Sequence, residues 1–131
     1  MSRYLLDTGL VIRHLRGQRQ TVRFLRGLGK MDRLGVAAIT RLEVYAGMRE
    51  GEQYATRKLL SRFLTYEMNG DVADKAGNYI RYGQNENWPI SVPDAIIAAT
   101  AIQYNLTLVT LNQKDFRKIP GLSIFPFPQN E

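Results

Sequence analysis

Cysteine is absent from the 131 residues and histidine occurs once, so disulfides and thiolate metal sites are excluded and a zinc site would have one imidazole at most. No apolar run approaches the roughly 18 residues of a membrane span, and no membrane partner is expected. Met1-Ser2-Arg3 leads into a strand pattern soon interrupted by Asp7, so no signal peptide is expected either, and these absences together fit a cytoplasmic protein. Repeats, linkers and low-complexity segments are missing too. The expectation is one domain over residues 1–131, with an irregular tail from about residue 126 where Pro126 and Pro128 fall.

Acidic side chains are scarce at the start of the chain. Residues 1–33 carry eight basic groups against Asp7 and Asp32, while the remaining residues balance at ten against ten, so the net charge of +6 is local. Arg13 and Arg16 lead into Arg19, Arg23, Arg26 and Lys30, which share one stripe if residues 20–29 are helical. A solvated outer face explains such a stripe by itself; a phosphate backbone would also suit it, which brings in RNA binding by Arg13, Arg16, Arg19, Arg23 and Arg26 as a hypothesis.

What is present alternates between strand and helix. Tyr4-Leu5-Leu6 is a short apolar run that ends in Asp7-Thr8-Gly9 and feeds the helical pattern Leu10-Val11-Ile12 to Leu15. A second buried strand is expected over 34–39, with helices over 40–48 and 52–64. A weak strand follows at Tyr66-Glu67-Met68 and a helix at 71–85, where small residues beside Ala76 and Gly83 would allow close packing in the core or against a second copy. Pro93 opens a helix over 94–104, since proline is tolerated in a first turn. Further strands are expected at 106–110 and 122–125, the turn Pro120-Gly121 lying between them. This order predicts a three-layer α/β/α domain with a mainly parallel sheet, whose strands end on one edge.

That geometry gives Asp7, Glu43, Asp94 and Asp115 a common location. Each has a plain structural explanation: Asp7 as a helix cap, Thr40-x-x-Glu43 as a capping box, Ser91-x-x-Asp94 and Asn112-x-x-Asp115 as looser versions of it. Gathered at one cleft, however, carboxylates raise one another's pKa, and a divalent cation relieves the repulsion. All-oxygen donors favour a hard ion, Mg²⁺ or Mn²⁺, over zinc. Acids, a hard metal and a basic approach surface point to phosphodiester hydrolysis.

The ordered set Tyr4-Leu5-Leu6-Asp7-Thr8, Ile39-Thr40-Arg41-Leu42-Glu43-Val44-Tyr45-Ala46-Gly47, Pro93-Asp94-Ala95-Ile96-Ile97-Ala98-Ala99-Thr100-Ala101 and Leu108-Val109-Thr110-Leu111-Asn112-Gln113-Lys114-Asp115-Phe116 resembles PIN-domain proteins, and more narrowly the VapC-type ribonuclease toxins of toxin–antitoxin pairs. The resemblance implies a PIN-like fold and a metal-dependent endoribonuclease cleaving tRNA or another structured RNA to 5′-phosphate and 3′-hydroxyl ends. It implies Asp7, Glu43, Asp94 and Asp115 as catalytic acids, Asp7 and Asp94 as holders of Mg²⁺ or Mn²⁺, and Thr8, Thr40, Thr110 and Asn112 as supports around them. It also implies a cognate antitoxin over the groove between helices 20–29 and 52–64, and a homodimer. Gly9 and Leu111 depart from the polar residues the family often has there.

Two other readings remain at this level. One is a PIN-like module that binds RNA without cutting it. The other is a phosphatase-like enzyme with Asp7 as covalent nucleophile, disfavoured because Gly9 stands where that chemistry usually places a second aspartate.

Overall fold

The computed structural model describes residues 2–126. The first strand, β1 (Tyr4–Leu6), leads through α1 (Thr8–Leu15) and α2 (Arg19–Met31) to β2 (Leu34–Ala37). The chain continues through α3 (Ala38–Ala46) and α4 (Gln53–Leu60) to β3 (Leu64–Tyr66), then through α5 (Gly70–Asn85) and α6 (Val92–Gln103) to β4 (Thr107–Val109) and the short α7 (Gln113–Phe116). The sheet has four strands in the order β3-β2-β1-β4, and every neighbouring pair is parallel.

Strand alternation builds the layers. Tyr4 and Leu6 face one side with Leu34, Val36 and Val109, packing on Leu10, Val11, Leu25, Leu28, Leu59 and Leu60 from α1, α2 and α4. Leu5 and Leu108 face the other side, against Ile97, Ala98 and Ala101 of α6 and Phe116 of α7. Beyond α6 lies α5, joined to it through Val72, Ala76, Ala95, Ile96 and Ala99. The three-layer α/β/α arrangement is therefore the one the sequence leads to. Helix α6 is apolar all round because it lies between sheet and helix, Ala95 to Ala101 being buried without a break. Each fully buried leucine or isoleucine stabilises these layers by about 1.5–3 kcal/mol.

Several boundaries differ from the sequence expectation. The second strand stops at Ala37 rather than residue 39, and α3 starts at once with no side-chain cap. The helix expected over 52–64 ends at Leu60, because Leu64, Thr65 and Tyr66 pair with Gly35, Val36 and Ala37 as β3. The expected last strand is reduced to a single parallel bridge between Leu108 and Ile124. The small residues of α5 are used internally, Val72, Ala76 and Gly83 being buried. Gly35 is required where it stands, since a Cβ there would lie 2.6 Å from the Tyr66 ring and 2.8 Å from Ser2 Oγ. The irregular tail expected from about residue 126 lies, past Pro126, outside the described residues.

Candidate active site

Parallel register places three chain segments at the carboxyl edge together. Leu6 pairs with both Val36 and Val109, so Asp7, Ala37 and Thr110 follow as the next residues of adjacent strands. The Asp7 amide continues the ladder by donating to the Val109 carbonyl at 2.9 Å. Strand order reverses between β1 and β4, the point at which open parallel sheets form their ligand crevice.

Asp7 is 6% exposed and fully engaged. Its Oδ1 accepts from the Thr8 amide at 2.8 Å, and its Oδ2 accepts from the Thr110 hydroxyl at 2.6 Å. Thr110 in turn accepts from the Asn112 amide at 2.9 Å, so one hydroxyl fixes both the carboxylate and the start of the β4–α7 loop. Asp7 is thus the N-cap of α1, as the bland reading has it, and an acid held at the sheet edge as well. Burial pushes its pKa up, the bonds from Thr110 and Thr8 pull it down, and the charge of Glu43 raises it again.

A second chain of bonds starts from α3. Thr8 Oγ1 donates to Glu43 Oε1 at 2.7 Å and lies 3.0 Å from Thr40 Oγ1. A hydroxyl has one proton, so with Thr8 donating to Glu43 the remaining proton comes from Thr40. The order Thr40 to Thr8 to Glu43 orients Glu43 from α1. The capping-box reading of Thr40 and Glu43 fails, because α3 begins at Ala38 and both residues lie inside the helix.

Ser91 does cap α6, its Oγ accepting from the Asp94 amide at 3.2 Å. The Asp94 carboxyl is half-buried in the first turn, and its pKa is raised to about 6, by burial first and then by the charge of Asp7, with smaller contributions from Glu43 and Asp115 and an opposing bond from Ser91. Asp115 is exposed on α7 and shares a cavity of about 330 Å³ with Asp94. Asn112 is exposed at the start of α7 and contributes its backbone amide, with no side-chain cap.

The four acids therefore act on one another electrostatically, yet among the described residues no three acidic or imidazole side chains converge closely enough to chelate one ion. Asp7 and Asp94 nevertheless suit a hard divalent cation. Both are oxygen donors, both have their pKa raised from the ordinary value by burial, and a carboxylate such as Asp7 that accepts one bond on each oxygen keeps lone pairs free.

None of the arginines of the expected stripe lines the cavity that holds Asp94 and Asp115. Arg13, Arg19, Arg23 and Arg26 are exposed. Arg16 is half-buried and tied to Glu52, its Nη1 donating at 3.0 and 2.9 Å to the two carboxylate oxygens, so it braces α1 against the start of α4. The stripe on α2 runs toward the amino edge of the sheet, where Asp32 pairs with Arg3 at 3.0 Å. His14, between Arg13 and Arg16 in sequence, lines a cavity of about 290 Å³ with Leu25, Arg26, Arg33, Arg62 and Phe63. Burial and the neighbouring Arg62 and Arg26 lower its pKa. Lys114 and Lys118, which the sequence does not single out, stand with Trp88 beside Asp94 and Asp115. Their signal is position: each belongs to a loop or short helix at the carboxyl edge.

Residues 4–122 match the PIN domain family. The chain is 30% identical over 119 residues to a Mycobacterium tuberculosis protein named ribonuclease VapC19, covering 90% of this chain and 95% of that one. It is 32% identical over 108 residues to ribonuclease VapC10 of the same organism, covering 82% and 81% respectively. Its fold superposes on a chain of a toxin–antitoxin complex from Klebsiella pneumoniae with a TM-score of 0.77 and 31% identity, over 95% of this chain and 98% of that one.

Proposed function

The chain belongs to the PIN-domain family, alongside the proteins named ribonuclease VapC, and from that membership we propose that it is an endoribonuclease acting as the toxin of a toxin–antitoxin pair. The observation that carries the reading is the set of acids at the crevice between β1 and β4. Asp7 is fixed by Thr110, Glu43 by Thr8, and Asp94 is driven up to about pKa 6 by burial and by the charges around it.

Asp7 and Asp94 would hold Mg²⁺ or Mn²⁺, which would supply charge neutralisation at the phosphoryl oxygens and a more acidic attacking water. The chain's own groups do the rest. Thr110 and the Thr8 amide hold Asp7 in one orientation, so binding charge at the crevice costs no further ordering of that side chain. Glu43, held by Thr8, would orient a water or accept its proton, and Asp115 would accept a hydrogen bond from the open side. Arg13, Arg19, Arg23 and Arg26 supply a positive surface for the phosphates of tRNA or another structured RNA.

A cognate antitoxin is the partner this reading calls for, as in the complex from Klebsiella pneumoniae. The surface that suits it lies between α1, α2 and α4, where the cavity beside His14 adjoins another of about 270 Å³ lined by Leu15, Tyr54, Lys58 and Leu59. A homodimer and a cytoplasmic location belong to the same proposal; among the described residues no helix is long and apolar enough to cross a membrane.

The test is cleavage of a pool of small structured RNAs in Mg²⁺ or Mn²⁺, with EDTA and Asp94→Asn in parallel. The expected result is metal-dependent cutting with 5′-phosphate ends, reduced to background in the variant while its melting curve stays cooperative. Cleavage by Asp94→Asn at equal metal overturns the site assignment. Tight RNA binding without cleavage by antitoxin-free protein overturns the catalytic reading.

A further inference from the structure

The groove between α1, α2 and α4 carries more charge than an apolar contact needs. Its cavity of about 290 Å³ is lined by Val22, Leu25, Leu34 and Phe63, and also by Arg26, Arg33 and Arg62. The neighbouring cavity of about 270 Å³ is lined by Leu15, Ala55 and Leu59, with Tyr54 and Lys58. His14 and Arg62 line both cavities and so mark the boundary between them.

No acid offsets these cations. Neither cavity has a carboxylate in its lining, and among the described residues Arg26, Arg33 and Arg62 have no ion-pair partner. Arg33 Nε reaches only the Arg62 carbonyl, at 3.5 Å. Lys58 is engaged differently, its ammonium lying 5.8 Å from the centre of the exposed Tyr54 ring. A purely apolar partner laid here would cover guanidinium groups without a counter-charge, which costs free energy. A phosphate backbone would neutralise them and leave both leucine-lined hollows unfilled. An amphipathic helix that carries an acid among its apolar side chains satisfies both requirements, and helix-lined grooves take such helices through anchors one turn apart.

Resting on the toxin reading above, we propose that the groove takes an acidic amphipathic helix of the antitoxin, with one apolar side chain in each cavity and a carboxylate paired with Arg62 at the boundary they share. The apolar anchors supply affinity and the carboxylate supplies selection, since a helix with lysine or arginine at that place meets like charge. Because Arg26 belongs both to this groove and to the surface offered to RNA, a bound helix also withdraws a phosphate contact.

The test selects peptides on the full-length protein from a library of amphipathic helices of about 18 residues, long enough to be helical in isolation, randomised along the apolar face and its flanks. The expected peptides carry Asp or Glu between two large apolar residues. No enrichment, or enrichment of peptides with a neutral or basic residue at that place, overturns the proposal. Changing the selected acid to its amide weakens binding roughly 5- to 50-fold, and Arg62→Gln in the protein does the same. Arg62→Gln keeps the backbone carbonyl that Arg33 uses. The two changes together cost little more than either alone, because each removes the same pair; additive losses overturn the pairing. His14 is the only histidine of the chain, so its ring resonances report on the boundary directly. Burial, Arg62 and Arg26 hold its pKa down in the free protein, and a carboxylate bound at Arg62 raises it. A His14 titration that the peptide leaves unchanged overturns the placement. Displacement of the peptide by a single-stranded RNA that itself loses affinity in Arg62→Gln would make this an RNA site and overturn the proposal. Peptide binding is read without turnover, so protein that binds acidic helices and cuts no RNA counts against the toxin reading alone, and cleavage with acid-free peptides counts against the groove alone.

Discussion

Thr110 donates its hydroxyl to Oδ2 of Asp7 across 2.6 Å of space and 103 residues of sequence. The bond is buried, and it links the first strand to the last at the edge where the acids gather.

Replacing Thr110 by valine keeps the shape and removes the donor. Asp7 then loses the strongest influence holding its pKa down, and the Asn112 amide loses its acceptor. The expected outcome is a stability loss of about 1–3 kcal/mol in urea unfolding, with cleavage down roughly 10- to 100-fold. Thr110→Ser, which keeps the hydroxyl, recovers most of both. Wild-type activity in the valine variant would show that Asp7 needs no such support.

The raised pKa of Asp94 makes stability depend on pH and on cation together. Its folded value of about 6 exceeds the ordinary 3.8, so the folded form binds this proton more tightly. Between those values the metal-free protein loses stability as pH rises, and above 6 the full penalty is present. Mg²⁺ should therefore raise the melting temperature at pH 7.5 and far less at pH 5, where Asp94 is protonated. Metal-free Asp94→Asn should melt above the wild type at pH 7.5 and gain little from Mg²⁺. Equal Mg²⁺ shifts at both pH values would exclude Asp94 as a ligand.

Gly35→Ala tests the sheet rather than the site. The added methyl meets the Tyr66 ring and Ser2 Oγ, groups that also bond each other at 2.6 Å. Overpacking of this kind costs about 1–3 kcal/mol, read as a lower urea midpoint at unchanged slope. An unchanged midpoint would mean that Tyr66 swings aside freely.

The parts of this architecture that the sequence makes legible are those where local pattern and tertiary context agree. Tyr4-Leu5-Leu6 reads as a strand and is one, and Ser91-Val92-Pro93 reads as a helix start and is one. The failures share a cause, because pairing partners decide boundaries that propensity leaves open. Leu34 to Ile39 is apolar throughout, yet β2 has partners only as far as Ala37, so the chain turns helical there without a polar cap. Leu64 fits the apolar face of a helix and is taken by β3. Glu43 was visible as an acid in the right order, but its tie to Thr8 spans 35 residues and no local pattern encodes it. The basic stripe was legible as a stripe; that Arg16 is bound to Glu52, and that His14 turns inward, depends on how α1 meets α4.

The strand order has a consequence for the chain as it leaves the ribosome. Because β1 pairs with β4, Asp7 is made 103 residues before the hydroxyl that fixes it. At roughly 5–20 residues per second of synthesis, Asp7 waits about 5–20 s for Thr110 to follow. A chain that stops between Asp7 and Thr110 has the acid without the hydroxyl that orients it, so the arrangement at the sheet edge is completed only once β4 has been made.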